Sequence, residues 1–340
     1  MGLQIKDLIT SKEIDINHLI NKIVVVDGFN LLYQFLTTIR QRDGTPLTDS
    51  KGNVTSHLIG LFSRTSNLLS KGVKLAFVFD GKPPALKEKE RARRREVKLA
   101  AQKKYEVAKQ QEDIAGMKKF ASQTTRLTPI MVEEAKKLIV AFGCPVIQAP
   151  SEGEAQAAYI VKQSGAYATI SQDFDTLLYQ TPRLIRNLSI AGKRKRTGKL
   201  GFTTIKPEEI MLAENLNKLG LDIDQMIALS MLVGTDYNIG GIKGIGPKKA
   251  TILVKKFGKE FDEMFKEVKW DESFDIPWTD VYYQFKNMPV TDDYELVWKD
   301  VDVEALKKLL VDEHDFSNER IDSAVKKFAK KEQKGLSEFF

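Results

Sequence analysis

Two short apolar runs, each followed by an aspartate, constrain the fold of this chain most strongly. Ile23–Val26 and Leu75–Phe79 are continuous stretches of aliphatic, β-branched or aromatic residues, and Asp27 and Asp80 come directly after them. Such runs are typical of strands that are buried on both faces of a parallel sheet. Helical patterns lie between the two runs, so the region predicts a βαβ unit.

The rest of the first two thirds of the chain continues this alternation. Further strands are predicted at 144–148, 167–170 and 183–188, and a helix is predicted at 152–163. The first two helices are predicted at 31–38 and 57–70. The sequence therefore predicts an α/β fold with a mostly parallel central sheet and helices on both faces.

Asp27 and Asp80 are expected at the carboxyl edge of the sheet, where open α/β sheets bind ligands. Either residue taken singly could equally be a helix N-cap or a turn residue. More acids follow other predicted strands: Glu152 and Glu154 open a helix after Pro150, and the Ser151–Glu154 spacing alone fits a capping box. The capping-box interpretation leaves Glu152 unexplained.

Three further acids complete the set, namely Asp173, Asp175 and Asp236. Asp173 and Asp175 follow a predicted strand, and their i,i+2 spacing would point both carboxylates the same way if the chain is extended there. Carboxylates gathered at one edge repel one another unless cations neutralise them. Cys144 is the only cysteine and the three histidines are scattered, so any metal must be held by oxygen.

Mg²⁺ suits such a site because it is a hard ion that takes a few carboxylates and keeps open positions for phosphate oxygens. Two such ions about 4 Å apart can support in-line phosphodiester hydrolysis without a protein nucleophile. The segment Asp173–Leu177 also invites comparison with haloacid-dehalogenase phosphatases, but a covalent aspartyl mechanism would not explain the other acids.

Basic residues are concentrated in one segment. The whole chain has 53 Lys and Arg against 46 Asp and Glu, while 82–126 alone holds 14 against 6, a local net charge of +8. Within it, Lys87–Phe120 has helix-forming composition with few large apolar residues, so this part is expected to project as a phosphate-contacting arm; the alternative is a solvated helix with i,i+4 ion pairs. Lys193–Arg196 is a second basic cluster, interpreted as a hairpin loop and only weakly as a nuclear-localisation signal.

The segment Gly240–Ala250 predicts a helix-hairpin-helix. Gly244 and Gly246 flank a hydrophobic residue, Pro247 suits a first helical turn, and Lys248 and Lys249 follow. Glycines let backbone N–H groups approach a DNA phosphate, and the next helix N-terminus and the lysines add positive charge.

The last eight residues have the spacing Gln-x-x-aliphatic-x-x-aromatic-aromatic, carried by Gln333, Leu336, Phe339 and Phe340. Apolar side chains on a flexible tail indicate a partner with an apolar pocket, and the spacing resembles a sliding-clamp-binding peptide. The alternative is a frayed terminus without function.

With these residues considered together, the chain resembles the flap endonuclease family across essentially its whole length, and the archaeal members most closely. The matching stretches are Val26–Asp27, Val78–Pro84, Ala149–Ala155, Asp173–Asp175, Gly234–Tyr237 and the predicted helix-hairpin-helix. The resemblance implies a structure-specific nuclease that removes 5′ flaps, with 5′-3′ exonuclease activity, in DNA replication (flap removal from Okazaki fragments) and repair.

The resemblance also implies roles for individual residues. Two Mg²⁺ ions, for which Mn²⁺ could substitute, would be bound by seven acids: Asp27, Asp80, Glu152 and Glu154 nearer the catalytic ion, and Asp173, Asp175 and Asp236 nearer its neighbour. Lys87 and Arg94 match ligands of the scissile phosphate, although the arm matches the family only at its beginning and Arg93 or Arg95 could replace Arg94.

Further DNA contacts are implied for Tyr33, which would stack on a terminal base, and for Gly2 and Arg64, which would lie near the DNA. The segment Arg40–His57 would wedge the duplex open, and the basic arm would pass the single-stranded flap. The tail would bind a sliding clamp (PCNA), and the protein is expected to act as a monomer.

The predicted organisation has five parts. These are an N-terminal nuclease region at 1–98, the rest of a basic helical arch at 99–115, an intermediate nuclease region with the helix-hairpin-helix at 116–258, a C-terminal helical region at 259–331 and a clamp-binding tail at 332–340. The longest apolar runs are far shorter than the roughly 18 residues of a membrane span, and no signal core is present, so an intracellular protein of the archaeal cytoplasm or nucleoid is expected.

Two other functional classes stay open from sequence alone. A non-catalytic DNA-junction binder would share the basic features but has no use for seven acids. A magnesium phosphatase acting on small substrates would share the acids but has no use for the hairpin or the tail.

Overall fold

A computed structural model of the chain describes residues 3–188, 192–195 and 202–332. These residues form two compact units, each assembled from three separated segments. The first unit contains 3–15, 80–90 and 148–292, and the second contains 16–79, 91–147 and 293–332.

Nine strands and fifteen α-helices are present in the described part of the chain. The strands are β1 Lys12–Glu13, β2 Ile23–Asp27, β3 Lys74–Phe79, β4 Val146–Gln148, β5 Ala168–Ile170, β6 Arg183–Arg186, β7 Gly192–Lys195, β8 Phe202–Ile205 and β9 Glu208–Met211. The helices are α1 Gly28–Thr38, α2 Ser56–Ser70, α3 Glu88–Gln110, α4 Ile114–Ala121, α5 Pro129–Ala141, α6 Gly153–Ser164, α7 Asp175–Leu178, α8 Leu212–Leu219, α9 Ile223–Val233, α10 Pro247–Phe257, α11 Phe261–Glu267, α12 Trp270–Ser273, α13 Trp278–Lys286, α14 Val303–Lys307 and α15 Asn318–Glu332. Short 3-10 turns lie at Ile16–Leu19, Ala85–Lys87 and Ser122–Thr124, and a π-helical turn lies at Lys308–Asp312.

The first unit contains four strands of the main sheet, in the order β1, β9, β6, β5. Strands β5 and β6 run parallel, whereas β9 pairs antiparallel with both β6 and β1. The antiparallel edge was not predicted, because β9 and β1 are short and carry mostly charged residues, which give no buried-strand pattern.

In the second unit, β2 and β3 run parallel in the register Ile23 to Lys74 and Asp27 to Val78, and β4 follows β3 in the strand order. With these strands the chain has the seven-stranded mixed sheet of an α/β fold, which confirms the predicted fold class. The predicted strands and the helices between them are all present, with ends shifted by a few residues.

Each unit has its own apolar core. In the first unit, fully buried side chains of α9 pack with Trp270 and Phe265, whose rings meet edge to face at 5.1 Å. In the second unit, Phe142 stacks on Phe62 at 5.7 Å and meets Phe328 of α15 at 6.2 Å. Aromatic burial of this kind is the main source of stability in such cores.

The basic arm is helical, as predicted, but in two pieces. Helix α3 ends at Gln110, and Glu112 takes a left-handed conformation (φ 53°) before α4 begins at Ile114. Along α3, Val97, Leu99 and Val107 are about half exposed, so this helix buries little apolar surface.

The second basic cluster is not confined to a loop, which corrects the prediction for Lys193–Arg196. Lys193, Arg194 and Lys195 belong to β7, which pairs antiparallel with β8 as a two-stranded ribbon separate from the main sheet. Arg196 lies outside the described residues. Among the helices that the structure describes, none has the length and apolar composition to cross a membrane.

Candidate active site

Asp80 is fixed at the end of β3 by the start of α6. Its Oδ1 accepts a hydrogen bond from the Gly153 N–H at 2.7 Å, and the Gly81 N–H donates to the Ser151 carbonyl at 2.6 Å. A Cβ on Gly81 would lie 2.1 Å from the Ala149 oxygen. The close approach of the two backbones therefore requires glycine at this position.

Replacing Gly81 by alanine is expected to lower the stability of the protein by about 1–3 kcal/mol and to displace Asp80, because the backbone at Ala149 must shift. Gly246→Ala is the matched control, since a Cβ there meets nothing within 4 Å and the backbone already has a negative φ of −94°. Thermal melting of the two variants checks this expectation; equal melting temperatures would contradict it.

Glu152 and Glu154 lie at the start of α6, but the capping-box interpretation is wrong. The N-cap residue is Glu152 and it makes no side-chain cap. The Ser151 hydroxyl instead donates to the Lys82 carbonyl at 3.1 Å, which again joins the two loops. Glu152 is 93% buried and its carboxylate is directed to Lys87.

Lys87, at the end of the turn Ala85–Lys87, forms ion pairs with two of the predicted acids. Its Nζ lies 2.5 Å from Glu152 Oε2 and 3.5 Å from Asp236 Oδ2. Desolvation acts to lower the pKa of Lys87, but Glu152, Tyr237 and Asp236 together outweigh it and raise the pKa, so the side chain is a cation at neutral pH.

Asp175 is the first residue of α7, and Phe174 between the two aspartates has helical backbone angles (φ −79°, ψ −11°), so the assumption of extended backbone there is wrong. The carboxylates nevertheless interact. Burial, followed by repulsion from Asp236 and Asp173, raises the pKa of Asp175. The Leu3 N–H donates to Asp175 Oδ1 at 3.3 Å, which brings the start of the described chain to this cluster.

Hydroxyl groups of Ser171 and Thr235 make the contacts around the remaining acids. The Ser171 hydroxyl donates to Glu154 Oε1 at 3.3 Å and accepts from the Asp173 N–H at 3.2 Å. Asp236 lies in a turn that is closed by the Thr235 hydroxyl, which donates to Asn238 Oδ1 at 2.7 Å. Six of the seven predicted acids are thus placed in the first unit, together with Lys87.

The electrostatics of this cluster suit a divalent cation. Burial, and then the charge of Glu152, raises the pKa of Asp80, and burial followed by the charges of Asp236 and Asp173 raises that of Asp175, so ionised carboxylates here repel one another. All donors are hard oxygens, which fits Mg²⁺. In the arrangement observed, no three His, Cys, Asp or Glu side chains of the described residues are placed to hold a metal ion together. Since the Lys87 ammonium binds two of the carboxylates, these side chains would have to turn to bind one.

Other predicted site residues belong to the second unit. Asp27 ends β2 and is 95% buried, and its side chain accepts from the Asn30 N–H at 3.0 Å as the N-cap of α1. Tyr33 on α1 is 38% exposed, with Lys98 Nζ 5.3 Å from its ring centroid. Arg94 is exposed on α3.

Arg64, on α2, lines a cleft of about 450 Å³ whose other walls come from α2 and α15. Arg320 and Lys327 lie in the same cleft, together with several serines and Asn67. Desolvation lowers the pKa of Arg64, although not enough to remove its charge. Three cations among hydroxyl and amide groups are typical of a surface that binds phosphates.

Helices α9 and α10 and the turn between them have the features predicted for the helix-hairpin-helix. Gly244 has a φ of +81°, and no atom lies within 4 Å of a Cβ placed on Gly244 or Gly246. Pro247 is the first residue of α10. Lys248 and Lys249 are exposed, and Lys249 Nζ donates to the Gly244 carbonyl at 3.1 Å. The turn is therefore open to an approaching phosphate.

Sequence reasoning missed the tyrosines around Lys87. The Lys87 Nζ lies 5.6 Å from the ring centroid of Tyr237, whose hydroxyl lies 3.0 Å from that of Tyr179. The position of Tyr237 beside Asp236 was a signal that could have been used, whereas nothing in the sequence pointed to Tyr179. Gly2 and the tail residues Gln333, Leu336, Phe339 and Phe340 lie outside the described residues.

Comparison with known proteins gives a consistent result. Residues 2–101 match the XPG N-terminal domain and residues 143–236 match the XPG I-region. The chain is 51% identical over 334 residues to flap endonuclease 1 of Staphylothermus marinus, covering 97% of this chain and 95% of that protein, and 49% identical to flap endonuclease 1 of Pyrococcus abyssi, covering 97% and 94%.

The fold agrees with the sequence. The solved structure of flap endonuclease-1 from Methanococcus jannaschii has a TM-score of 0.75 and 41% identity with this chain, covering 97% of this chain and 100% of that one. The carboxylate cluster, the open glycine turn and these matches lead to one conclusion: the chain belongs to the flap endonuclease family, whose members are structure-specific, divalent-metal-dependent nucleases that hydrolyse DNA phosphodiester bonds.

Proposed function

We propose that this flap endonuclease cuts 5′ flaps at the junction of single- and double-stranded DNA with the help of two Mg²⁺ ions bound by seven acids. The observation that carries the proposal is the set of buried, mutually repelling carboxylates around Lys87. The ligands would be Asp27, Asp80, Glu152, Glu154, Asp173, Asp175 and Asp236. Mn²⁺, which has similar ligand preferences, could substitute.

When bound, the ions supply Lewis-acid stabilisation of the phosphate and lower the pKa of an attacking water. Residues of the protein bind and orient the phosphate. Lys87, a cation among these acids, would hold a non-bridging oxygen of the scissile phosphate, and Arg94 on α3 would bind the same phosphodiester. Hydrogen bonds from Gly153 to Asp80 and from Leu3 to Asp175 fix the carboxylates before DNA arrives.

DNA binding is proposed to rest on charge and shape, with little base-sequence preference. The turn at Gly244 and Gly246, with Lys248 and Lys249, would hold the duplex backbone. Tyr33, more than a third exposed, offers a face for stacking. Arg64 would bind phosphates in its cleft, and Gly2 would lie near the DNA.

The segment Arg40–His57 is proposed to wedge the junction open, and its internal bonding suits that role. The Arg40 guanidinium donates to the carbonyls of Gly44 at 2.7 Å and Ala121 at 2.9 Å. Near the middle of the segment, Asp49 accepts from His314 Nδ1 at 3.0 Å, and at its far end His57 Nε2 lies 3.2 Å from Glu134 Oε2. A segment tied at both ends can press against DNA without first becoming ordered.

Replacing Lys248 and Lys249 together by glutamate is expected to weaken junction binding and to reduce the slope of log K against log salt concentration by about 2, near 0.9 for each lost phosphate contact. Replacing the exposed Lys266 and Lys269 together by glutamate makes the same change in net charge and is the control. Fluorescence anisotropy of a labelled flap between 50 and 300 mM salt measures both quantities. An unchanged slope would contradict the proposed contact.

The biological setting is proposed to be flap removal during replication and repair by a monomeric enzyme that also has 5′-3′ exonuclease activity. The tail Gln333–Phe340 is proposed to bind the sliding clamp through Leu336, Phe339 and Phe340. Deletion of 333–340 should leave cleavage by the enzyme alone unchanged and should abolish stimulation by added clamp. A truncated enzyme that the clamp still stimulates would contradict this.

The central test is cleavage of a labelled double-flap DNA, with an unbranched duplex as control, in Mg²⁺, in Mn²⁺ and in chelator. Metal-dependent cutting at the junction is the expected result. Tight junction binding without cutting in any metal would favour a non-catalytic binder, and hydrolysis of small phosphate esters with weak, salt-insensitive DNA binding would favour a phosphatase.

A further inference from the structure

Lys87 lies against the aromatic ring of Tyr237, a contact that none of the proposed functions uses. Its Nζ lies 5.6 Å from the centroid of the Tyr237 ring, within the range at which a cation is attracted to a π face. The same Nζ also contacts Glu152 at 2.5 Å and Asp236 at 3.5 Å. The ammonium therefore has one ring face and two carboxylates as neighbours.

The Tyr237 ring is itself held in place by its neighbours. Tyr237 is 96% buried, and its ring meets that of Phe285 edge to face at 5.0 Å and 74°. Its hydroxyl is bonded to the Tyr179 hydroxyl at 3.0 Å, and Tyr179 also packs on Phe285 at 5.6 Å. One of the two hydroxyls donates to the other, and this bond helps to fix the orientation of the Tyr237 ring.

Hydrogen bonds of the backbone at Thr235–Asn238 fix the position from which the Tyr237 ring extends. The Tyr237 N–H donates to the Thr235 hydroxyl at 3.1 Å, and that hydroxyl donates to Asn238 at 2.7 Å, which closes the turn carrying Asp236. Asp236 and Tyr237 thus present a carboxylate and a ring to the same ammonium from consecutive positions. A lysine side chain has four rotatable bonds, and it adopts one position only if its surroundings exclude the others.

We infer that Tyr237, braced by Tyr179 and Phe285, is a positioning residue that places the Lys87 ammonium for the cleavage step. Tyr237 acts through Lys87 and needs no contact with DNA. The inference rests on the proposed role of Lys87 at the scissile phosphate. A ring that only filled the core would affect stability but would not affect cleavage through one particular lysine.

The test is a double-mutant cycle on single-turnover cleavage of a saturating flap substrate in Mg²⁺, with Tyr237→Leu, Lys87→Met and the double variant. Tyr237→Leu is expected to cleave about tenfold more slowly than wild type with unchanged Kd for DNA, a loss that corresponds to about 1.4 kcal/mol. In the Lys87→Met background the same substitution should have no further effect. Tyr237→Phe, which keeps the ring, should stay within about threefold of wild type.

The outcomes separate the role of Lys87 in cleavage from the positioning role of Tyr237. If Lys87→Met is slow and Tyr237→Leu slows it tenfold further, this inference is overturned and the role of Lys87 stands. If Lys87→Met cleaves at the wild-type rate, the role of Lys87 and this inference both fail.

A second measurement covers the case in which Tyr237→Leu does not fold. Phenylalanine with increasing fluorination, placed at 237, weakens the negative face of the ring with little change of shape. A cleavage rate that falls with each added fluorine supports the inference, and a rate that is flat across the series overturns it.

Discussion

Replacing Asp175 by asparagine should reduce flap cleavage by about 10³-fold or more while junction binding is retained, because the variant loses a charged metal ligand. Asp175 receives the Leu3 N–H and is repelled by Asp236 and Asp173, so it lies at the centre of its acid group. Glu214→Gln, an exposed acid on α8, is the control and should cleave at the wild-type rate.

The same variant should change stability in the opposite direction. Burial and neighbouring charge raise the pKa of Asp175 in the folded protein, so its ionised form destabilises the fold at neutral pH in the absence of metal. In chelator, Asp175→Asn is therefore expected to melt at a higher temperature than wild type. Added Mg²⁺ should raise the melting temperature of wild type by mass action and that of the variant much less.

Single-turnover cleavage, anisotropy and melting on the same preparations check these expectations. A variant that keeps its cleavage rate would remove Asp175 from the site. A variant that melts lower than wild type in chelator would show that the carboxylate stabilises the fold instead of repelling its neighbours.

The sequence could predict those parts of the fold that depend on local pattern. The runs before Asp27 and Asp80 are buried on both sides, and such strands have a strong apolar signal whatever surrounds them. Strand β9 is short, and two of its four residues are glutamates, so its pairing with β6 depends on tertiary contacts that the local pattern does not show. Lys193–Lys195 was likewise not predicted as a strand, because its residues are all charged, yet it belongs to a two-stranded ribbon.

For the candidate site, the sequence identified residues but not their surroundings. The capping-box spacing of Ser151 and Glu154 left Glu152 unexplained, and the Glu152 carboxylate in fact binds Lys87, which lies 65 positions earlier in the chain. The same is true of Tyr179 and Tyr237, which are 58 positions apart and meet through their hydroxyls. Chemical types and local spacing are visible in sequence, whereas contacts made across the fold are not.

Lys87→Met is expected to slow cleavage by about 10²-fold to 10³-fold, the usual loss when one group that stabilises transition-state charge is removed. The methionine keeps most of the length of the side chain on Tyr237, so the loss reports the charge. Lys87→Arg should restore part of the rate, because it returns the charge with a different shape. Lys89→Met is the matched control: Lys89 pairs with Asp275 at 3.1 Å, but both side chains are largely exposed, and such pairs contribute little.

Lys87→Met should also destabilise the metal-free protein, because Glu152 is buried and loses its cation, and breaking a buried pair costs about 3–5 kcal/mol. Added Mg²⁺ should raise the melting temperature more in this variant than in wild type. The ion then replaces the positive charge that Lys87 supplies to Glu152 and Asp236 in the wild type. Melting curves with and without Mg²⁺, beside the single-turnover rates, measure both effects. A variant with a normal rate and an unchanged melting curve would show that Lys87 neither binds the phosphate nor balances the acids.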